Sequence, residues 1–289
     1  DKTAPIMSAD VLGDRFIVND KVYFSGRTKL KLTAVDNKSG IKDVFYSINN
    51  GEYVRYEEPF YLPNRAGLHI IKYYAVDKTG NEGVGNRRQR FDEYRHNVSQ
   101  VYVDLTGPTI SHQYVGDKFQ KGDTTYINSR TKVKLSATDP ESGLQKITYD
   151  LDEQNDEQFY TESFSVTTPG FHRLSVFGYD NVNNRNVYVT TFAVDAEAPE
   201  IFVYFSVNPN RIEGNIPVYP SYVNVFLAAT DRQTGYEHLY YSLNDSRDQL
   251  YTGMIQGFKT GKEYTLEIKA TDKLGNTALK KLVFKIDKY

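Results

Sequence analysis

Cysteine and tryptophan are both absent from this 289-residue sequence. The lack of cysteine excludes disulfide bridges, thiolate nucleophiles and cysteine-ligated zinc, and it is compatible with an exported bacterial protein. The lack of tryptophan weakens a role in carbohydrate binding through exposed rings. No stretch approaches the roughly 18 apolar residues that a membrane helix needs, so we expect no direct membrane span.

An excess of charge of either sign is also missing. Lys and Arg together number 35 and Asp and Glu 37, which gives a formal net charge of -2. A chain without a strong basic field has little to hold the phosphates of nucleic acid or an anionic membrane surface. We therefore expect no nucleic-acid partner.

Motifs of catalysis are missing as well. The five histidines show no His-Glu-x-x-His spacing, and no Gly-x-Ser-x-Gly turn or phosphate-binding glycine loop is present. His69 and His172 each lie eight residues before an aspartate of the repeats described below, which favours a structural role for both. We predict that the protein is not an enzyme. A hydrolase with residues dispersed over loops stays open as an alternative.

Residues that favour strands are abundant. The chain contains 24 Tyr and 16 Phe besides many Val, Ile and Thr, and no long apolar stripe recurs at helical spacing. The sequence therefore predicts an all-β protein.

Three copies of one pattern divide the chain. Each copy opens with Asp-x-x-x-Pro, reaches Ala-x-Asp 35 or 36 residues later, and reaches another Asp 41 residues after that. These spacings predict modules at 1–103, 104–194 and 195–289. Asp287 lies 15 residues after Asp272, as Asp195 lies 15 after Asp180, which predicts a further module of the same array. The repeated aspartates are Asp1, Asp36 and Asp77; Asp104, Asp139 and Asp180; and Asp195, Asp231 and Asp272.

The alternation of apolar and polar residues predicts the strands of each module. The strand before the first loop aspartate alternates strictly, and the same holds for the strand after the turn and for a later strand. A tyrosine of the second strand is predicted to lie at the core edge with its hydroxyl bonded to backbone. Short strands at regular spacing predict a two-sheet sandwich. The tyrosines are Tyr46, Tyr149 and Tyr241.

The combined pattern of Asp-x-x-x-Pro, Ala-x-Asp-x-x-[Ser/Thr]-Gly, a Tyr-Ser-[Ile/Leu] strand and Ala-x-Asp-x-x-Gly-Asn resembles bacterial immunoglobulin-like tandem repeats. It is most similar to the repeat first named from a leptospiral outer-membrane protein. The resemblance covers nearly the whole chain. It implies three tandem immunoglobulin-like β-sandwich modules in an elongated array, secreted, at the cell surface or in the periplasm, and acting as spacer, adhesive module or enzyme appendage.

In an immunoglobulin-like sandwich the incoming chain, the B–C loop and the F–G loop lie at one pole. We therefore expect the three aspartates of each copy to gather there, two sets of them at module junctions. Each aspartate is expected to fix its own turn by accepting backbone N–H bonds. The alternative is that the carboxylates bind Ca²⁺ between modules, although no cofactor is required. The candidate ligands are Asp104, Asp139 and Asp180 at the first junction and Asp195, Asp231 and Asp272 at the second.

An insertion distinguishes the first module from the others. Asp77 to Asp104 is 27 residues where the other modules have 15, which leaves a 12-residue excess within 82–100. Arginine and aromatic residues are typical of interface anchors. The insertion is a candidate partner-binding site, and the alternative is a lengthened hairpin whose arginines pair with nearby acids. The candidate residues are Arg87, Arg88, Arg90, Phe91, Tyr94 and Arg95.

These patterns predict a non-enzymatic scaffold or spacer that mediates protein–protein interaction in a bacterial envelope assembly. The protein is expected to be exported, and to lie at the cell surface, at the outer membrane or in the periplasm. Its partners are envelope proteins or further modules of its own chain. The first alternative is an adhesin or glycan-binding region that uses the aromatic segments 202–210 and 217–222, and the second is an appendage of a secreted hydrolase.

Overall fold

The computed structural model describes residues 1–83 and 97–288, and every regular element within these ranges is a β-strand. None of the described residues forms a helix long and apolar enough to cross a membrane. The strands fall into three repeating units that share one order of elements, so the all-β, three-unit architecture that the sequence predicts is confirmed. The predicted insertion residues Arg87, Arg88, Arg90, Phe91, Tyr94 and Arg95 lie outside the described residues.

Each unit uses eight or nine strands, and the bounds follow in chain order. The first unit contains β1 (Ile6–Leu12), β2 (Arg15–Val18), β3 (Lys21–Ser25), β4 (Lys29–Val35), β5 (Ile41–Ile48), β6 (Val54–Arg55), β7 (Phe60–Tyr61), β8 (Gly67–Asp77) and β9 (Asn97–Asp104). The second contains β10 (Thr109–Val115), β11 (Lys118–Lys121), β12 (Thr124–Ile127), β13 (Lys132–Thr138), β14 (Leu144–Leu151), β15 (Gln158–Phe159), β16 (Phe164–Ser165), β17 (Gly170–Asp180) and β18 (Arg185–Val194). The third contains β19 (Glu200–Phe205), β20 (Arg211–Glu213), β21 (Ile216–Tyr219), β22 (Val225–Thr230), β23 (Tyr236–Leu243), β24 (Gln249–Leu250), β25 (Glu263–Asp272) and β26 (Thr277–Ile286).

Two sheets form each sandwich. In the first unit the small sheet has the order β1-β4-β7 and the large one the order β2-β3-β9-β8-β5-β6. All of these pairs are antiparallel except β3 with β9, which run parallel. This corresponds to an A-B-E sheet facing an A′-G-F-C-C′ sheet, with a hairpin added at the A′ edge, and it is the immunoglobulin-like arrangement. The second unit repeats this topology, and in the third a single bridge between Val225 and Ile255 replaces the short third strand of the small sheet.

The core lies between the two sheets, and period-two alternation places its residues there. On β13 the side chains of Val133 and Leu135 are buried while Lys132 and Lys134 are exposed. Successive side chains of a strand point to opposite faces of the sheet, so one face of β13 packs on the core and the other meets water. The equivalent strands β4 and β22 follow the same rule.

The tyrosine at the core edge is located as predicted, but its hydroxyl partner is not. Tyr149 is half-buried and stacks on Phe164 with ring centroids 4.4 Å apart. Its hydroxyl donates to Gln158 Oε1 at 3.1 Å, and Tyr241 donates in the same way to Gln249 at 3.3 Å. The predicted backbone partner is wrong in these two units, because the short C′ strand places a glutamine side chain opposite each tyrosine.

Two histidines serve the fold. His172 is buried, with Nδ1 2.8 Å from Asp152 Oδ2 and Nε2 2.7 Å from the Thr168 carbonyl oxygen. His69 holds the equivalent place in the first unit, where Nδ1 lies 2.9 Å from Asn49 Nδ2. Each ring joins the C–C′ turn to the start of the F strand, which agrees with the structural role predicted from their shared position.

Candidate metal centres

Three clusters of aspartates form at the poles of the units. Asp104 ends β9, Asp139 directly follows β13, and Asp180 ends β17. Each residue offers one carboxylate oxygen, and the three oxygens lie within 4.8 Å of one another. The same distance holds for the cluster of Asp195, Asp231 and Asp272 and for that of Asp1, Asp36 and Asp77. The three aspartates that the sequence analysis predicts to lie together in each unit are therefore close to one another in the structure.

The aspartate at the end of the F strand caps the F–G turn. Asp180 Oδ1 accepts hydrogen bonds from the backbone N–H groups of Val182 and Asn184 at 2.9 and 2.7 Å. Its Oδ2 accepts one from Asn184 Nδ2 at 2.7 Å, and that amide also donates to the Asp104 carbonyl oxygen at 3.0 Å. Asn184 therefore ties the F–G turn to the chain that enters the module.

The second junction is built in the same way. Asp272 Oδ1 accepts from the N–H groups of Leu274 and Asn276, both at 2.8 Å. Asn276 Nδ2 donates to Asp272 Oδ2 at 2.8 Å and to the Asp195 carbonyl oxygen at 3.0 Å. The Asp-x-x-x-Asn pattern of the F–G turn is thus explained by two side chains that hold one turn.

The aspartate of the B–C loop caps its own turn too. Asp139 Oδ1 accepts from the N–H groups of Glu141 and Gly143 at 3.0 and 2.8 Å. Gly143 has φ +87°, a left-handed conformation that glycine adopts without steric cost. The turn-fixing role expected from the sequence is therefore present. It leaves Oδ2 of Asp139 for cation binding, because both N–H bonds end on Oδ1.

Burial concentrates negative charge at the junctions. The side chains of Asp104, Asp180, Asp195 and Asp272 have 0% exposure. Burial raises the pKa of Asp180, and the charge of Asp104 adds to this, although hydrogen bonds from Asn184 and Val182 oppose it. Burial likewise raises the pKa of Asp195. Ionised carboxylates are therefore held there at an electrostatic cost that a divalent cation would offset.

The cluster of the first unit differs electrostatically. Burial favours a higher pKa for Asp36, but hydrogen bonds from Gly40, Lys38 and Ser39 outweigh it and lower the pKa. Burial acts in the same direction on Asp77, where hydrogen bonds from Asn81 dominate and hold the pKa far below its usual value. Hydrogen bonds from its own turns thus stabilise the ionised form at this pole.

In each of the first two units, the hairpin at the A′ edge and the residues after it bind the F–G turn of the following unit. We call this contact the clasp. Arg27 follows β3, and its Nη2 donates to the carbonyl oxygens of Val182 and Asn183 at 3.1 and 2.9 Å. Asn183 Nδ2 in turn donates to Asp14 Oδ1 at 2.8 Å. Val182 is completely buried although it belongs to a turn. The F–G turn that Asp180 caps is therefore held from both sides.

The second junction repeats this clasp with different atoms. Asn128 Nδ2 and Arg130 Nη2 donate to the Leu274 carbonyl oxygen at 2.7 and 3.2 Å. Leu274 is completely buried, and the ammonium group of Lys273 lies 4.4 Å from the ring centroid of Phe119. Sequence reasoning missed both clasps. The sequence feature that could have revealed them is an Arg-Thr pair nine residues before the loop aspartate. The pair is present in the first two units and replaced by Tyr222-Val223 in the third.

The aromatic segments suggested for glycan binding are only partly exposed. Phe205 stacks on Tyr219 with ring centroids 4.2 Å apart, and both rings pack against the core residue Phe284. Tyr204 and Tyr222 are 58% and 72% exposed. Within these candidate segments the exposed rings are therefore those of Tyr204 and Tyr222, while Phe205 and Tyr219 pack on the core.

Comparison with known proteins assigns no family. No protein-family model matches the chain, and no curated protein matches it. Similar solved structures include part of a 1.5-MDa bacterial ice-binding adhesin that is described in connection with host cell surface retention. It has 10% identity and TM-score 0.39, and the match covers 100% of both chains. A Ca²⁺-stabilised adhesin with which an Antarctic bacterium binds ice has 14% identity and TM-score 0.40, over 99% of this chain and 75% of that one. Cadherin domains 3–6 of protocadherin gamma B2 have 13% identity and TM-score 0.29, over 99% and 76%. The fold assignment rests on the strand topology.

Proposed function

We propose that this chain is a non-enzymatic scaffold or spacer of three immunoglobulin-like modules, at 1–103, 104–194 and 195–289, in an exported bacterial envelope assembly. The observation that carries the proposal is the clasp, which is built twice. Arg27 binds the carbonyl oxygens of one F–G turn and Arg130 binds that of the next. A repeated contact of this kind fixes one module against its neighbour, which is what a spacer requires.

Calcium is the cation that the junctions would hold. Ca²⁺ takes 6 to 8 oxygen ligands in flexible geometry, and each junction presents three carboxylates from three different segments of chain. Asp104, Asp139 and Asp180 would bind it at the first junction, and Asp195, Asp231 and Asp272 at the second. Bound calcium would cross-link the entering chain, the B–C loop and the F–G turn. It would therefore stabilise the turn that the preceding module clasps.

The insertion of the first module is the proposed contact with a protein partner. The two other units have no counterpart of this segment, so it is the place where one array can differ from another. Its arginines and aromatic residues are of the types that dominate binding energy at protein interfaces. The proposed contact residues are Arg87, Arg88, Arg90, Phe91, Tyr94 and Arg95.

Affinity purification from native envelopes in mild detergent tests the scaffold function and this contact together. The wild-type chain is expected to co-purify with a stoichiometric envelope protein. The variant Arg87→Ser/Arg88→Ser/Arg90→Ser is expected to lose that partner at an unchanged melting temperature. The matched control removes the same positive charge from exposed strand positions in the small sheets of the first and second units, through Lys31→Ser, Lys132→Ser and Lys134→Ser, and is expected to retain the partner. Recovery of the wild-type chain alone would contradict the scaffold function.

An adhesive or glycan-binding role is the second candidate. It is favoured by the exposed rings of Tyr204 and Tyr222 on the third unit, since aromatic faces stack on sugars and on protein surfaces. A glycan array probed with wild type and with Tyr222→Ser separates this role from the scaffold function.

A further inference from the structure

The first junction contains a glutamate that the other two clusters lack. The second residue after the loop aspartate is Lys38 in the first unit, Glu141 in the second and Gln233 in the third. Glu141 Oε2 is buried and has no hydrogen-bond partner. A buried carboxylate oxygen without a partner is unusual, because its desolvation is then uncompensated.

The neighbouring hydroxyl is also without a partner. Ser142 has 0% exposure, and its Oγ forms no hydrogen bond. The equivalent hydroxyl of Thr234 donates to Asp195 Oδ2 at 3.0 Å and to Asp231 Oδ1 at 3.4 Å. That of Ser39 donates to Asp1 Oδ2 at 3.0 Å and to Asp36 Oδ1 at 3.3 Å. At the first junction, therefore, a completely buried oxygen at a position that elsewhere contacts the cluster is left free.

Negative charge is concentrated around Glu141. Glu141 follows Asp139 by two residues, and Asp139 lies in one cluster with Asp104 and Asp180. Adjacent like charges repel one another, and a bound cation would offset that repulsion. The backbone N–H of Ser142 donates to Asp104 Oδ2 at 3.0 Å, so this loop lies directly on the cluster.

We infer that Glu141 is a fourth carboxylate ligand of the first junction, with Ser142 Oγ as a neutral oxygen beside it, and that this junction is the high-affinity calcium site of the chain. The inference rests on the calcium binding proposed above. It goes further because it ranks the two junctions and assigns a ligand outside the repeated aspartates. Ligand charge is one of the factors that set the affinity of calcium sites. Four carboxylates here against three at the second junction therefore predict the stronger binding.

Isothermal titration with CaCl₂ of the full chain tests the ranking. Wild type is expected to show a tighter and a weaker site. Glu141→Gln, which copies the residue of the second junction, is expected to weaken the tighter site roughly tenfold or more. Gln233→Glu is the reciprocal variant and is expected to strengthen the weaker site by a similar factor. In chelator Glu141→Gln is expected to melt no lower than wild type, because it removes one charge from a crowded cluster.

The outcomes separate the inference from the proposed function. If wild type binds calcium and neither exchange alters either affinity, Glu141 is not a ligand and the inference is overturned, while calcium binding by the junctions stands. If wild type shows no calcium binding, the inference and the proposed calcium sites are both overturned, while the scaffold function, which rests on the clasps, is not. Should Glu141→Gln fail to fold, the gain of affinity in Gln233→Glu decides the question, since that variant leaves the first junction intact.

Discussion

Replacing Asp180 by alanine is expected to destabilise the second module by about 3 kcal/mol in the presence of chelator. The change removes the acceptor of three hydrogen bonds, from the N–H groups of Val182 and Asn184 and from Asn184 Nδ2. Val182 is completely buried and Asn184 is 7% exposed, so water does not readily replace the lost oxygen. Relief of repulsion from Asp104 opposes part of this loss.

Asp180→Asn is the matched comparison. Its side-chain oxygen still accepts from the two backbone N–H groups, so we expect a cost of about 1 kcal/mol in chelator. Both variants remove a carboxylate, so both are expected to lose the response of the second module to calcium. Urea denaturation with and without calcium measures the two effects separately. Equal stability of Asp180→Ala and wild type in chelator would contradict the turn-capping role, and a full calcium response in both variants would contradict ligation.

Saturating calcium is expected to raise the free energy of unfolding of the second and third modules by about 2.7 kcal/mol each when free calcium is one hundred times the dissociation constant. For modules of this size the shift corresponds to a rise in melting temperature of roughly 10 to 20 °C. The reason is that the cation binds carboxylates gathered only in the folded state, where Asp104, Asp180, Asp195 and Asp272 are buried. Scanning calorimetry in calcium and in chelator measures the shift.

Two controls accompany the calorimetry. Magnesium at the same concentration is expected to give a smaller shift, since it demands octahedral geometry and releases its water reluctantly. The double variant Asp139→Asn/Asp231→Asn keeps an acceptor for each B–C turn and removes one charge from each junction, so its calcium response is expected to be reduced. A wild-type melting curve that is identical in calcium and in chelator would contradict the proposed metal centres.

The sandwiches and the aspartate clusters at the poles of the units could be predicted from the sequence, because both depend on local and periodic patterns of residues. The alternation at Val133 and Leu135 determines which face of β13 is buried. The equal spacings of the aspartates place Asp104, Asp139 and Asp180 at one pole once an immunoglobulin-like order of strands is assumed. The core position of Phe205 could also have been predicted from the sequence, since Phe205 continues the alternation of Ile201 and Val203 along β19.

The contacts between units were not predicted, because the Arg-Thr pair that marks them in the sequence does not indicate what the arginine binds. The bonds of Arg27 and Arg130 end on backbone carbonyl oxygens, which carry no residue identity that a pattern could match. Glu141 has the appearance of an ordinary turn residue in the sequence. Only the packing of the B–C loop onto the cluster shows that its Oε2 is buried without a partner. Both features depend on tertiary structure and not on local propensity.

The central claim is that calcium at the junctions and the arginine clasp fix neighbouring modules in one orientation. The most direct measurement is the distance distribution between spin labels on the first and second modules, by pulsed electron spin resonance. The chain has no cysteine, so Lys31→Cys and Lys134→Cys, at equivalent exposed positions, give unique labels. We predict one narrow distribution in calcium that broadens in chelator, and broadens further when Arg27→Ser is added. A distribution that is equally broad in calcium and in chelator would contradict the account.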